Sequence, residues 1–195
     1  MVEKKYISAD ELLEDSFRLA LKVYQSGFRP NFIVGIWRGG TPVGIAVQEM
    51  LDYFGIETDH IAIRTSAYLG INQRCKEIRV HGLDYIINNI NAEDALLIVD
   101  DVYDSGLSVK AVVDTLNERA RKNTPNDIRI ATVYYKPSNN ETGRPPEYYL
   151  HETDKWLIFP HELTGLTQEE IFKNKPMVKK IIEGVRRDEN NQGVH

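Results

Sequence analysis

One cysteine, Cys75, is all that the 195 residues contain. No intrachain disulfide can form, and cysteine usage gives no sign of an oxidising compartment. No apolar run approaches the ~18 residues that suggest a membrane span, and the opening MVEKKYISADELL has no apolar signal core. A cytoplasmic location without a membrane partner is the expectation. Positive charge is not in surplus either: 24 Lys and Arg face 29 Asp and Glu, a formal net charge of −5. Nucleic-acid-binding surfaces are usually basic, so no nucleic-acid partner is expected. A small anionic ligand stays open, because a local positive site or a metal can outweigh the global balance. Internal repeats and low-complexity tracts are missing. So are two phosphate-binding signatures, Gly-x-x-x-x-Gly-Lys-Ser/Thr and Gly-x-Gly-x-x-Gly.

What is present suits one well-packed domain over residues 1–195, with room for a subdomain: 42% of residues are hydrophobic and 27% charged. Ser8 and Glu11 have capping-box spacing. Apolar residues at helical spacing then run to about Ser26, and Gly27 is the stop. NFIVGIW reads as a buried strand and RGG as a tight turn. TPVGIAVQEMLDYFG reads as a helix capped by Thr41, with Pro42 at its first position and Gly55 just past its end. HIAIR is a second strand. Residues 65–82 are polar, with scattered Gly, Asn and Arg, and read as a long loop or mobile arm. DALLIVD is a third strand, 105–122 a helix and DIRIATVYY a fourth strand. KPSNNETGRPPEYY is a turn-rich excursion, and KWLIFP a short strand broken by Pro160. Thr167 and Glu170 cap a last helix. The polar tail RRDENNQGVH is expected to fray.

Strands alternate with helices, and the central strands are apolar throughout. That is the pattern of an α/β fold with a parallel sheet covered by helices on both faces. Ligands of such sheets bind beyond the carboxyl ends of the strands. RGG, DDVYDSGLS and YYKPS follow strand ends and are expected to meet there.

The stretch LLIVDDVYDSGLS carries the most chemistry. A helix N-terminus presents unpaired N–H groups and partial positive charge. Ser105, Gly106 and Ser108 are small, so a phosphate can approach that backbone. The plain alternative is an ordinary helix cap by Asp104 or Ser105. Ahead of this turn, Asp100 and Asp101 stand side by side at a strand end. Ionised carboxylates only accept hydrogen bonds, which suits the hydroxyls of a sugar diol, and they also suit a divalent cation. A solvated strand end is the alternative.

Together these residues resemble the signature of the type I phosphoribosyltransferases: an apolar strand, two acids, then Asp-Ser/Thr-Gly-x-Ser/Thr. The resemblance spans about residues 30–165. It implies a parallel-sheet core with a small hood subdomain over about 137–165, to which N-terminal residues can contribute. It also implies that Asp100 and Asp101 face the ribose hydroxyls of phosphoribosyl pyrophosphate, and that Asp104, Ser105, Gly106, Leu107 and Ser108 cradle its 5-phosphate. In purine-using members the acid at position 104 assists proton transfer at the base. Trp37, Arg38, Gly39 and Gly40 match the pyrophosphate loop, with a cis peptide between Trp37 and Arg38. Residues 65–82 match the flexible catalytic loop. Relatives often have Ser-Tyr there, whereas this chain has Ala67 between Ser66 and Tyr68, which leaves both roles open. Cys75, in the same loop, is given none.

VYYKP puts Lys136 at the end of the fourth strand. In 6-oxopurine enzymes a lysine there donates to the oxygen at C6, and an ammonium, having no acceptor, favours an oxo over an amino group. A solvent-facing lysine is the alternative. KWLIFPHE resembles the hood of the xanthine–guanine enzymes. By that resemblance Trp156 stacks on the purine, Leu157 offers backbone groups to its edge, and Glu162 joins Asp100 and Asp101 in reaching a magnesium ion. His161 stands where an aromatic is expected, and Trp156 as a core residue is the alternative. The implied activity is purine salvage: transfer of ribose 5-phosphate to hypoxanthine, guanine or xanthine, with Mg2+ as cofactor, by a homodimer or homotetramer. A non-catalytic regulator that senses nucleotides or the pyrophosphate sugar is the rival reading.

Overall fold

The computed structural model describes residues 3–69 and 76–192, with side chains over 3–67 and 78–185. Two compact units make up the chain: residues 10–155, and a smaller one formed by the N-terminal residues to Ala9 with those from Trp156 onward.

The larger unit is an α/β sandwich. Its elements run α1 (Ala9–Gln25), β2 (Phe32–Trp37), α2 (Gly40–Tyr53), β3 (Asp59–Leu69), β4 (Lys76–His81), α3 (Asp84–Asn89), β5 (Ala95–Tyr103), α4 (Leu107–Ala120), β6 (Asp127–Tyr135) and β7 (Tyr148–Glu152). The six strands lie in the order β4-β3-β2-β5-β6-β7, and every neighbouring pair is parallel except β3 and β4. Strands that are covered on both sides need apolar residues at every position. Val34, Ile36, Leu96 and Ile98 are buried in one cluster with Ile86 of α3 and Val109, Val112 and Leu116 of α4. Ile33, Leu97 and Val99, at the alternate positions, are as deeply buried, and α2 packs against β2 and β5.

From β2 the chain steps outward to β3 and β4. It then returns to place β5 on the other side of β2 and steps outward again through β6 and β7. The direction of winding reverses between β2 and β5, and a crevice forms at the carboxyl ends flanking such a switch point.

The smaller unit pairs β1 (Lys4–Tyr6) with β8 (Trp156–Ile158) as a parallel two-stranded sheet. Two helices follow, α5 (Gln168–Asn174) and α6 (Pro176–Gln192). The expected Thr167–Glu170 capping box is formed: the Thr167 hydroxyl accepts from Glu170 N at 3.2 Å and Thr167 N donates to Glu170 Oε2 at 2.9 Å.

Several sequence expectations are corrected. Helix α2 opens at Gly40 with Gly39 as its cap, so Thr41 lies inside the first turn. Within 65–82, residues 65–69 continue β3 and 76–81 form β4, its antiparallel partner; residues 70–75, with Cys75, lie outside the described residues. In β4 only Ile78 and Val80 alternate with polar residues, too short an apolar pattern to mark a strand, although Val80 packs against the core cluster. Residues 148–152 are the edge strand of the main sheet, hidden in the sequence by the Pro145-Pro146 context of a turn-rich stretch. Of residues 137–165, only those from Trp156 onward belong to the smaller unit. The last helix is two helices, broken before Pro176, because proline cannot supply the amide that a continuing helix needs.

Candidate active site

The carboxyl ends of β2, β5 and β6 bring three loops together. After β2 the Trp37–Arg38 peptide is cis, as the resemblance implied, and both side chains are exposed. Thr41 N closes the turn on the Arg38 carbonyl at 3.3 Å. Gly39 is required sterically, since a Cβ there would overlap the carboxylate of Asp101. The turn therefore lies directly against the acids that end the apolar part of β5. Asp101 is only 7% exposed. Asp100 accepts from the amide of Asp101 at 3.0 Å and from that of Gly40. Burial first, and the charge of Asp101 second, push Asp100 well above the usual carboxylate range, against the pull of those two amides. Sugar hydroxyls donating to this pair, or a cation shared by it, would relieve the repulsion.

The next loop carries Asp104 to Ser108. Gly106 has φ 77°, a left-handed conformation, and a side chain there would overlap the ring of Tyr103. Helix α4 starts at Leu107, and no side chain caps it at Gly106. Ser105 Oγ accepts from Leu107 N at 3.3 Å, and Thr65 of β3 donates to Ser108 Oγ at 3.4 Å. The result is a helix start ringed by small hydroxyl residues, with donors and partial positive charge for an anion.

The third loop follows β6. Lys136 is 6% exposed. Its amide donates to the Tyr103 carbonyl at 2.9 Å, and its ammonium to Asp104 Oδ2 at 3.0 Å. The second oxygen of Asp104 takes the side-chain amide of Asn139 at 2.7 Å. Glu141 N reaches the Ser105 carbonyl at 3.0 Å, and the Tyr103 hydroxyl bonds to Thr142 Oγ1 and the Arg144 carbonyl, each at 2.9 Å. The lysine and the third acid, singled out separately in the sequence, form one ion pair. Tyr103 and Asn139 were not singled out. The signals for them were a tyrosine within an acid-rich turn and an amide-rich run directly after Lys136.

The sequence profile described as "Phosphoribosyl transferase domain" matches residues 8–164. The chain belongs to the phosphoribosyl transferase family. Its α/β fold is the one expected of that family. The bifunctional protein TilS/HprT of Listeria innocua serovar 6a is 25% identical over 185 residues, covering 91% of this chain and 26% of that protein. The chain thus spans about a quarter of that relative's length. The hypoxanthine-guanine phosphoribosyltransferase of Bacillus subtilis is 23% identical over 180 residues, with 91% of this chain and 92% of the relative covered. Among solved structures, the purine phosphoribosyltransferase from Pyrococcus horikoshii Ot3 is similar in fold: TM-score 0.65 and 24% identity, over 85% of this chain and 98% of that one.

In the smaller unit, Trp156 is 56% exposed and so not a core residue. The backbone of β8 bonds to β1 through Trp156 N, which donates to the Glu3 carbonyl, and the Ile158 carbonyl, which accepts from Ile7 N. Parallel pairing alternates, so the N–H and C=O of Leu157 point to the other edge of this two-stranded sheet. Glu162 Oε2 takes the amide of Phe159 at 3.1 Å, and the Lys175 ammonium donates to the Phe159 carbonyl at 2.7 Å. Burial draws Lys175 below the usual lysine range. Ser66 Oγ and His81 Nε2 lie 3.1 Å apart on the β3–β4 arm. Among the described residues no three His, Cys, Asp or Glu side chains are placed to hold a metal ion by themselves, and no helix is long and apolar enough to cross a membrane.

Proposed function

We propose that this phosphoribosyltransferase moves ribose 5-phosphate from phosphoribosyl pyrophosphate to a 6-oxopurine, releasing pyrophosphate and a nucleoside monophosphate. The observation that carries the reading is the buried Lys136 ammonium on Asp104, one turn from a helix start built of small residues. A buried ammonium, which donates and cannot accept, selects an oxygen at C6 of a base, and the acid beside it suits the adjoining ring nitrogen. Asp100 and Asp101 take the ribose hydroxyls, residues 104–108 the 5-phosphate, and residues 37–40 the diphosphate. Trp156 offers an exposed indole for stacking and Leu157 an unpaired backbone edge. A purine nitrogen then bonds to C1 of the ribose as the bond to pyrophosphate breaks, through an oxocarbenium-like state. The protein contributes alignment and electrostatic stabilisation.

Adjacent oxygen donors that repel one another fit a hard divalent cation. Mg2+ generally takes one or two carboxylates together with phosphate oxygens and waters. Asp100 and Asp101 would hold it, with Glu162 as the third candidate on the strength of the resemblance. When bound it supplies neutralisation of the leaving diphosphate. Steady-state assays with the pyrophosphate sugar, Mg2+ and hypoxanthine, guanine, xanthine and adenine test the proposal. Turnover of at least one oxopurine and rejection of adenine is the expected result. Tight binding of nucleotides without turnover of any base would favour the regulator.

A further inference from the structure

Asp104 stands between two donors. The buried ammonium of Lys136 holds Oδ2 at 3.0 Å, and the amide of Asn139 holds Oδ1 at 2.7 Å. The carboxyl group itself remains 47% exposed. With a donor on one oxygen only, a carboxylate swings about a broad, soft torsion. With one donor on each oxygen its plane is set.

Asn139 is suited to this because its own backbone is held. Its N–H donates to the Lys136 carbonyl at 3.1 Å, and Asn140 N to the Pro137 carbonyl at 3.3 Å. Glu141 N ties the next residue to the Ser105 carbonyl at 3.0 Å. The side-chain amide of Asn140 reaches the Tyr135 hydroxyl at 3.0 Å and the Arg144 carbonyl at 3.2 Å. The turn is thus anchored to the end of β6 on one side and to the phosphate loop on the other.

We propose that Asn139 is a positioning residue that acts through Asp104. It fixes the carboxylate plane so that the remaining lone pair of Oδ1 meets the purine ring N–H. The inference rests on the proposed function and deepens it. As a purine nitrogen bonds to C1 of the ribose and the C–O bond to pyrophosphate breaks, the ring N–H proton passes to Asp104 and then to solvent. Nothing is oxidised or reduced. Lys136 neutralises the carboxylate, and the neutral amide orients it without adding charge.

A double-mutant cycle tests this. Asn139→Ala should lower kcat roughly tenfold, the effect of losing one hydrogen bond to a charged group, and leave KM for the pyrophosphate sugar unchanged. Asn139→Asp, of equal size, sets a second carboxylate against Asp104 and should lose more. In an Asp104→Asn background, Asn139→Ala should cost nothing further. An unchanged kcat in Asn139→Ala overturns the proposal. So does an equal loss in both backgrounds, because a residue that merely braces the turn would cost the same with or without Asp104. The same cycle is also read by calorimetry with a purine nucleoside monophosphate, where additive losses overturn the coupling. If wild type turns over no purine while the calorimetric coupling is present, the functional reading fails and the Asn139–Asp104 coupling stands.

Discussion

Under the proposed function Lys136 has two partners to serve, the base and the Asp104 that it holds at 3.0 Å, and its removal separates them from an ordinary surface change. Lys136→Ala should reduce kcat/KM for guanine and hypoxanthine by roughly a hundredfold, because a polar contact made to a substrate group in a buried site discriminates strongly. Adenine turnover should fall less, so that the gap between the bases narrows. Measuring kcat/KM for three bases on both proteins decides it, and a wild type that uses adenine as well as hypoxanthine would remove Lys136 from the C6 position. Gly106 illustrates the opposite hazard. A larger residue there would overlap Tyr103 and strain the left-handed backbone, so its loss of function would report damage to the loop. Ser105→Ala or Ser108→Ala probes the phosphate cradle without that confusion. At this scale the acids, the glycines and Lys136 were legible because each is an unusual residue type at a strand end. Asn139 was not, because its partner is 35 residues away in sequence and an amide in a turn needs no special explanation.

The central strands stabilise the larger unit by ordinary apolar burial. Ile98 is fully buried in the cluster between the sheet and α3 and α4. Ile98→Ala should cost about 2–5 kcal/mol, read as a lower denaturant midpoint with an unchanged slope. In the smaller unit the start of α5 is electrostatic. Glu170 both completes the capping box and pairs with Lys4 of β1, and these contacts, the Lys4 hydrogen bond foremost, hold it down at about 2. A depressed carboxylate contributes stability that is present above its unfolded value, here 4.5, and lost as pH falls through that value toward 2. Lys4 is raised above 10.5 by the same contact, so its share is complete below that pH and fades only above it. The smaller unit should therefore loosen in acid between about pH 4.5 and 2. Thr167→Ala, which costs about 1 kcal/mol at a helix start, should bring the transition to higher pH. Elements of this kind were visible where a local pattern marks them, as with Thr167–Glu170 or the buried strands. The β3–β4 arm and β7 escaped because their apolar positions, such as Val80 and Tyr148, are few and set among polar or proline-rich residues.

The two tryptophans divide between the two units, Trp37 in the larger and Trp156 in the smaller, which gives each unit its own optical probe. In a Trp37→Phe protein the fluorescence of Trp156 should report the acid transition predicted for the smaller unit, and a pH-independent signal over that range would argue against the Glu170 assignment. Under the proposed function Trp156 bears on base binding as well. Stacking is tolerant of ring substituents, so Trp156→Ala should raise KM for every purine and leave their ranking intact; a change in ranking would mean that the indole reads the base edge. Sequence by itself determined the parallel α/β class, the family, and the chemical character of the strand-end loops, because those rest on local residue types and on apolar runs that only a doubly covered sheet can bury. Only the tertiary structure decided that Gly39 lies against Asp101, that Asp104 is shared between Lys136 and Asn139, and that the N-terminal strand pairs with β8. Each of these joins residues remote in sequence, and nothing in a local pattern records which loop a strand end will meet once the sheet has wound in both directions from β2.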